Sequence, residues 1–139
     1  MDAHTDAQAV ESAIAAMFRK FAEHDPDGVE AALHEDCTVW DLFVPQLVRG
    51  REDRARFHAE DQAQSQARGP LSYSIAPEAT DVWGDTAVAR YVLRFSYRPP
   101  NAVEGVVRIT SVLRRQPDGR WLIVHHHEGL LPGGVPPVS

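Results

Sequence analysis

One carboxylate in the sequence stands in surroundings that suit proton transfer. Asp41 follows Trp40 and precedes Leu42 and Phe43, so its immediate neighbours along the chain are large and apolar. Apolar surroundings disfavour the charged form of a carboxyl group and raise its pKa towards the range of a useful base. Asp41 is therefore the first candidate for a general base. The alternative is an ordinary exposed aspartate at the end of a strand.

A second candidate group is the run from His125 to Glu128 near the end of the chain. Neighbouring side chains alternate in a strand, so His126 and Glu128 share one face, while His125 and His127 share the other. A histidine–glutamate pair suits acid–base chemistry because imidazole titrates near neutral pH. The alternative for His126 is a buried, hydrogen-bonded residue of a pocket wall. His125 and His127 lack further ligands at a recognisable spacing, so no metal site is predicted.

Composition excludes several classes of function. The chain has 139 residues and a net charge of -6, without a basic cluster, so nucleic acid is not an expected partner. No apolar run approaches the roughly 18 residues of a membrane span, and the N-terminus does not resemble a signal peptide. Cys37 is the single cysteine and cannot form an internal disulfide. No glycine-rich phosphate loop occurs, and we expect a cytoplasmic protein without a cofactor.

Helices are predicted in the first half of the chain and strands in the second. Apolar spacing predicts a helix over about residues 6–23, a short helix that starts at Asp25-Pro26, and a third helix over 51–67. A short strand, Cys37 to Phe43, separates the second helix from the third. Helices gathered before an antiparallel sheet are typical of the α+β class.

The later strands are predicted over 71–75, 86–97, 103–115 and 121–131, the last two joined by a turn at Gln116–Gly119. In the strand over 86–97, alternation places Tyr91 and Phe95 on one face. We expect one domain over residues 1–131 and a loose tail over 132–139.

Four segments give the chain a resemblance to a known superfamily. They are Asp25-Pro26-Asp27-Gly28-Val29, the run Asp36 to Asp41, Arg49-Gly50, and the run Asp118 to His127. With the order of elements, they resemble the nuclear transport factor 2-like superfamily of ketosteroid isomerases, SnoaL-like polyketide cyclases and kinase association domains. The resemblance spans about residues 8–131. It implies a cone-shaped, curved antiparallel sheet packed on three N-terminal helices that together enclose a pocket.

The likeness to ketosteroid isomerases implies roles for single residues. Asp41 falls at the position of their general base, and Phe57 falls on a pocket-lining aromatic residue. His58 falls at a tyrosine near the base, so it is expected to hydrogen-bond towards Asp41; a solvated helix histidine is the alternative. With the pocket face carried over, the expected lining residues are Met17, Trp40, Phe57, Tyr91, Phe95, Ser111, Val124, His126 and Glu128.

The same comparison leaves the oxyanion donor unassigned. Met17 and Ser111 stand where ketosteroid isomerases carry a tyrosine and a protonated aspartic acid. A methionine cannot donate a hydrogen bond, and a serine is a poor substitute for the acid. The sequence therefore supplies a base without a matching donor.

Two functional hypotheses follow. The first is a SnoaL-like enzyme of isomerase, cyclase or dehydratase (lyase) type, acting on a hydrophobic carbonyl-containing metabolite, with Asp41, His126 and His58 as catalytic residues. The second is a ligand-binding or dimerisation and assembly domain without turnover. An Asp41 with polar partners beside a pocket favours the first, and an exposed Asp41 on a pocketless core favours the second. Either protein is expected to be a homodimer that pairs through the outer sheet face.

Overall fold

The described residues form three helices and six strands, and all of them except the two-residue strand Val48–Arg49 follow the order that the sequence predicts. The computed structural model describes residues 3–65, 69–99 and 102–132. The helices are α1 (Ala3–Ala22), α2 (Pro26–Ala31) and α3 (Gly50–Ser65). The strands are β1 (Leu33–Trp40), β2 (Val48–Arg49), β3 (Leu71–Trp83), β4 (Thr86–Tyr97), β5 (Val103–Arg115) and β6 (Trp121–Leu130). Residues 66–67 of the predicted third helix and 133–139 of the predicted tail lie outside the described residues.

The short helix α2 begins where its sequence predicts. The side chain of Asp25 caps it, since Oδ1 accepts a hydrogen bond of 2.9 Å from the backbone N–H of Gly28. Pro26 occupies the first helical position, where a missing N–H costs nothing. This turn directs the chain from α1 into the first strand.

The first strand is the element whose prediction was wrong at both ends. β1 starts at Leu33 and ends at Trp40, whereas the sequence indicated Cys37 to Phe43. Beyond Trp40 the backbone N–H groups donate to side chains instead of to a neighbouring strand. The N–H of Leu42 donates to Glu128, and the N–H of Phe43 donates to Asp41. The chain thus leaves the sheet at Asp41. The strand β3 is also longer than predicted, because its pairing with β4 continues to Trp83.

The six strands form one curved, open sheet in the order β2-β1-β6-β5-β4-β3. All neighbours are antiparallel except β1 and β6, which run parallel. The helices pack against the inner face of this sheet, which confirms the predicted α+β class. The predicted alternation in β4 is also confirmed, since Tyr91 and Phe95 are both buried.

A bulge interrupts the pairing of β5 with β6 at one residue. Leu113 pairs with Ile123 and Val112 pairs with His125, so Val124 has no partner on β5. Such an extra residue changes the alternation of side chains along a strand. Ile123 and His126 consequently both lie on the inner face, three positions apart. Within the described residues, no helix is both long and apolar enough to cross a bilayer.

Candidate active site

A cavity of about 420 Å³ lies between the inner face of the sheet and the helices. Its volume falls in the range of small-molecule sites, and its wall is mostly apolar, as in such sites. The predicted residues that line it are Met17, Asp41, Phe57, His58, Phe95, His126 and Glu128. The curved sheet and α3 therefore bring together residues from distant parts of the sequence.

Three of these residues form a polar group on the cavity wall. Asp41 follows the end of β1, and His126 and Glu128 share the inner face of β6. The carboxyl group of Asp41 lies close enough to that of Glu128 for the negative charge of Glu128 to act on it. On the other side, His126 Nε2 lies 2.9 Å from Glu128 Oε2. Because β1 and β6 are parallel neighbours, the end of β1 at Trp40 lies beside His127 of β6.

Glu128 is the residue of this polar group that stays ionised. Its Oε1 accepts a hydrogen bond of 3.0 Å from the N–H of Leu42, and its Oε2 contacts His126. Burial by itself would raise the pKa of Glu128, but the hydrogen bond and charge of His126 and the bond from Leu42 outweigh it. These contacts hold the pKa of Glu128 below its ordinary value. Glu128 therefore remains a carboxylate at neutral pH.

Asp41 is the group that exchanges a proton near neutral pH. Burial and then the negative charge of Glu128 raise its pKa from 3.8 to about 7. The N–H of Phe43, 2.8 Å from Asp41 Oδ2, acts in the opposite direction and is the weaker influence. Two adjacent carboxyl groups cannot both ionise freely, so they share one proton up to that pH. Such a carboxyl group is both acid and base in the neutral range.

Behind His126, a buried chain of hydroxyl groups extends from the second ring nitrogen. Ser111 Oγ lies 3.0 Å from His126 Nδ1, and the hydroxyl of Tyr91 lies 2.9 Å from Ser111 Oγ. An ionised carboxylate only accepts hydrogen bonds, so His126 donates to Glu128 through Nε2. In the neutral ring Nδ1 then accepts from Ser111, which in turn accepts from Tyr91. Burial raises the pKa of Tyr91, which keeps it a donor.

A second polar cluster joins α2 to α3. The buried Arg54 donates from Nε to Glu30 Oε2 at 2.8 Å and from a terminal nitrogen to Glu30 Oε1 at 3.0 Å. It also donates to the backbone carbonyl of Cys37 at 2.9 Å. His58 Nε2 lies 3.2 Å from Glu30 Oε2. The expected hydrogen bond from His58 to Asp41 is absent among the described contacts, because Glu30 lies closer to the ring.

Four residues expected on the pocket wall lie elsewhere. Tyr91 and Ser111 are buried on the inner face but do not line the cavity: Ser111 contacts His126, and Tyr91 contacts Ser111. Trp40 is 41% exposed and does not line the cavity. Val124 does not line it either, because it is the extra residue of the bulge and Ile123 takes the inner position.

Arg54 and Glu30 were missed by the sequence interpretation. A signal was present, since Arg54, Phe57, His58 and Asp61 recur at three- and four-residue spacing and all four line the cavity. Cys37 is buried, which raises the pKa of its thiol to about 11, so it is not a nucleophile. In the ranges that the structure describes, no group of three or more His, Cys, Asp or Glu residues could hold a metal ion.

Comparison with known proteins places the chain in a family. Residues 14–124 match the family model of the SnoaL-like domain. No curated protein sequence matches the chain. Among solved structures, a ketosteroid isomerase-like protein from Erwinia carotovora atroseptica superposes with a TM-score of 0.77 at 14% identity, over 91% of this chain and 96% of that one.

Two further structures share the fold over nearly their whole length. A proposed dehydratase of the nuclear transport factor 2-like family from Streptomyces avermitilis has a TM-score of 0.80 and 20% identity, over 94% of this chain and 99% of that one. A proposed aromatic ring hydroxylase from Novosphingobium aromaticivorans has a TM-score of 0.83 and 18% identity, over 99% and 95%. At these identities the likeness concerns the fold alone. The match to the family model spans most of the sequence, and the chain therefore belongs to the SnoaL-like domain family.

Proposed function

We propose that the protein is an enzyme that needs no cofactor and moves a proton on a hydrophobic carbonyl-containing metabolite. The reaction is of isomerase, cyclase or dehydratase type, with Asp41 as the general base. The observation that carries this proposal is the pair of neighbouring carboxyl groups of Asp41 and Glu128 on the wall of an apolar cavity. Groups with strongly shifted pKa values in a cleft are typical of catalytic sites.

The pair supports the proton abstraction in a specific way. The ionised Asp41 takes the proton from a carbon next to the carbonyl, and the C–H electrons form the enolate. Protonation of Asp41 ends the repulsion between the two carboxylates. Return of the proton to another carbon gives an isomer. If the carbon next to the enolate carries a hydroxyl group, this group leaves as water with the proton that Asp41 holds, which gives a dehydration. His126 keeps Glu128 ionised throughout.

A pH profile tests this mechanism. The probe is cyclohexanone carrying a phenyl group opposite the carbonyl, called here the phenyl ketone, and NMR follows exchange of its α-hydrogens in heavy water. Exchange requires the ionised form of Asp41, so kcat/KM rises as pH increases through about 7 and is flat above it. Glu128→Gln removes one of the causes of the raised pKa, so the midpoint moves to lower pH in that variant.

Two outcomes contradict the proposal. A midpoint that is the same in the wild type and in Glu128→Gln shows that Asp41 is not the titrating base. Tight binding of the phenyl ketone without any exchange above the solvent rate supports the alternative, a ligand-binding or assembly domain of the same fold.

We also propose that two copies of the chain associate through the outer face of the sheet. Trp40 at the end of β1 is 41% exposed, and it pairs with His127 of β6. His125 and His127 lie on the same outer face, with ring centroids 6.5 Å apart. Sedimentation at micromolar concentration is expected to give the mass of a dimer, and a monomer there contradicts this part of the proposal. A cytoplasmic location stays a prediction.

A further inference from the structure

Among the described residues, only one of the two ring nitrogens of His58 has a hydrogen-bond partner. Nε2 faces Glu30, and among the described residues no hydrogen-bond partner reaches Nδ1. The ring lines the cavity, whereas Glu30 lies behind it and outside the lining. Its side chain is 15% exposed. One edge of the imidazole is therefore held by the protein, and the other edge is left for a molecule in the cavity.

The carboxylate behind the ring fixes the positions of its protons. Burial by itself would raise the pKa of Glu30, but the hydrogen bonds and charge of Arg54, followed by the hydrogen bond of His58, hold it below its ordinary value. Glu30 is thus an acceptor, and the proton between the two residues sits on His58 Nε2. In the neutral ring Nδ1 is then an acceptor with a fixed direction.

The ion pair of Arg54 and Glu30 does not require this histidine. Arg54 already binds both oxygens of Glu30 and the carbonyl of Cys37. The neighbouring Phe57 also lines the cavity, with its ring centroid 5.7 Å from that of His58. An apolar side chain at position 58 would complete this wall, so the polar ring has a use that packing does not explain.

We propose that His58 Nδ1 accepts a hydrogen bond from a hydroxyl group of the ligand. The ligand is then a hydrophobic molecule with two polar points, a carbonyl that faces Asp41 and a hydroxyl that faces His58. Glu30 and Arg54 are positioning residues for this contact. The inference rests on the proposed function for the carbonyl end and adds a second recognition point to the same cavity.

Binding of matched ketones tests the inference. The probes are the phenyl ketone and its derivatives with a hydroxyl or methoxy group at the meta or para position of the phenyl ring. Dissociation constants are measured by calorimetry at about pH 8, where an imidazole is ordinarily neutral. At least one hydroxyl derivative is expected to bind about fivefold more tightly than both the phenyl ketone and its methoxy counterpart.

Variants assign that preference to His58. In His58→Phe the hydroxyl and phenyl compounds are expected to bind equally, and far-UV circular dichroism shows whether the variant is folded. His58→Gln retains an acceptor and is expected to keep part of the preference. In Asp41→Asn the hydroxyl preference persists, so a failure of the proposed catalysis is distinguishable from a failure of this contact.

Three results overturn the inference. They are equal binding of hydroxyl and methoxy derivatives to the wild type, a hydroxyl preference that survives in His58→Phe, and no measurable binding of any of the ketones.

Discussion

Replacement of Asp41 by asparagine is expected to lower kcat/KM for α-hydrogen exchange about 10²–10⁴-fold, the usual contribution of a general base. The amide has nearly the same shape as the carboxylate but cannot take up a proton at neutral pH. The uncharged amide also avoids repulsion with Glu128, so the geometry of the site is expected to be preserved. Initial rates with the phenyl ketone at about pH 8, above the raised pKa of Asp41, measure the effect.

The matched control is Asp36→Asn, the same change at a position within β1. The side chain of Asp36 is 87% exposed, so the substitution leaves the cavity untouched. Its exchange rate is expected to equal that of the wild type. If Asp41→Asn retains the rate of the control variant, the base lies elsewhere in the cavity and the proposed role of Asp41 is wrong.

Replacement of Arg54 by methionine is expected to lower the free energy of unfolding by about 3 kcal/mol, as for other broken buried ion pairs. Arg54 is 2% exposed, and the change leaves Glu30 and the carbonyl of Cys37 without their main donor. Methionine fills a similar volume, so the loss reflects the missing hydrogen bonds and charge. Urea denaturation followed by circular dichroism measures it.

Arg56→Met provides the comparison within the same helix. Arg56 pairs with Glu52 and Asp53, but its side chain is 62% exposed. Exposed ion pairs contribute little, so this variant is expected to stay within about 0.5 kcal/mol of the wild type. Equal losses in the two variants would contradict the view that the Arg54 cluster holds α2 and α3 together.

The bounds of β4 and β5 could be predicted closely because their signals are local. Alternating apolar residues predict β4 and β5 at the bounds that the structure has, and Gly119 closes the turn between β5 and β6 at a φ of 91°. The end of β1 could not be predicted in the same way. The chain leaves the sheet where Leu42 donates to Glu128, a residue far along the sequence, and this contact exists only after folding.

The sequence predicted several residues of the candidate site but not the contacts between them. Apolar neighbours indicated Asp41, and alternation placed His126 with Glu128. The pairing of Asp41 with Glu128 depends on the parallel contact of β1 and β6, which connects residues that are distant in sequence. Val124 was assigned to the wrong face because the bulge in β6 adds one residue to the alternation. Likewise, Glu30 lies on α2, and only packing brings it to His58 of α3.

The shared proton of Asp41 and Glu128 also links the folding of the chain to pH. In the unfolded chain Asp41 releases its proton near its ordinary pKa of 3.8, but in the folded protein it keeps that proton up to about 7. Between these values the native state binds the additional proton, so folding takes up a proton from solution. The stability that Asp41 contributes is therefore complete below about pH 4 and is lost as pH rises through about 7. Above that pH Asp41 is ionised, as catalysis requires, but its ionised form destabilises the folded state. Activity and stability therefore change in opposite directions with pH.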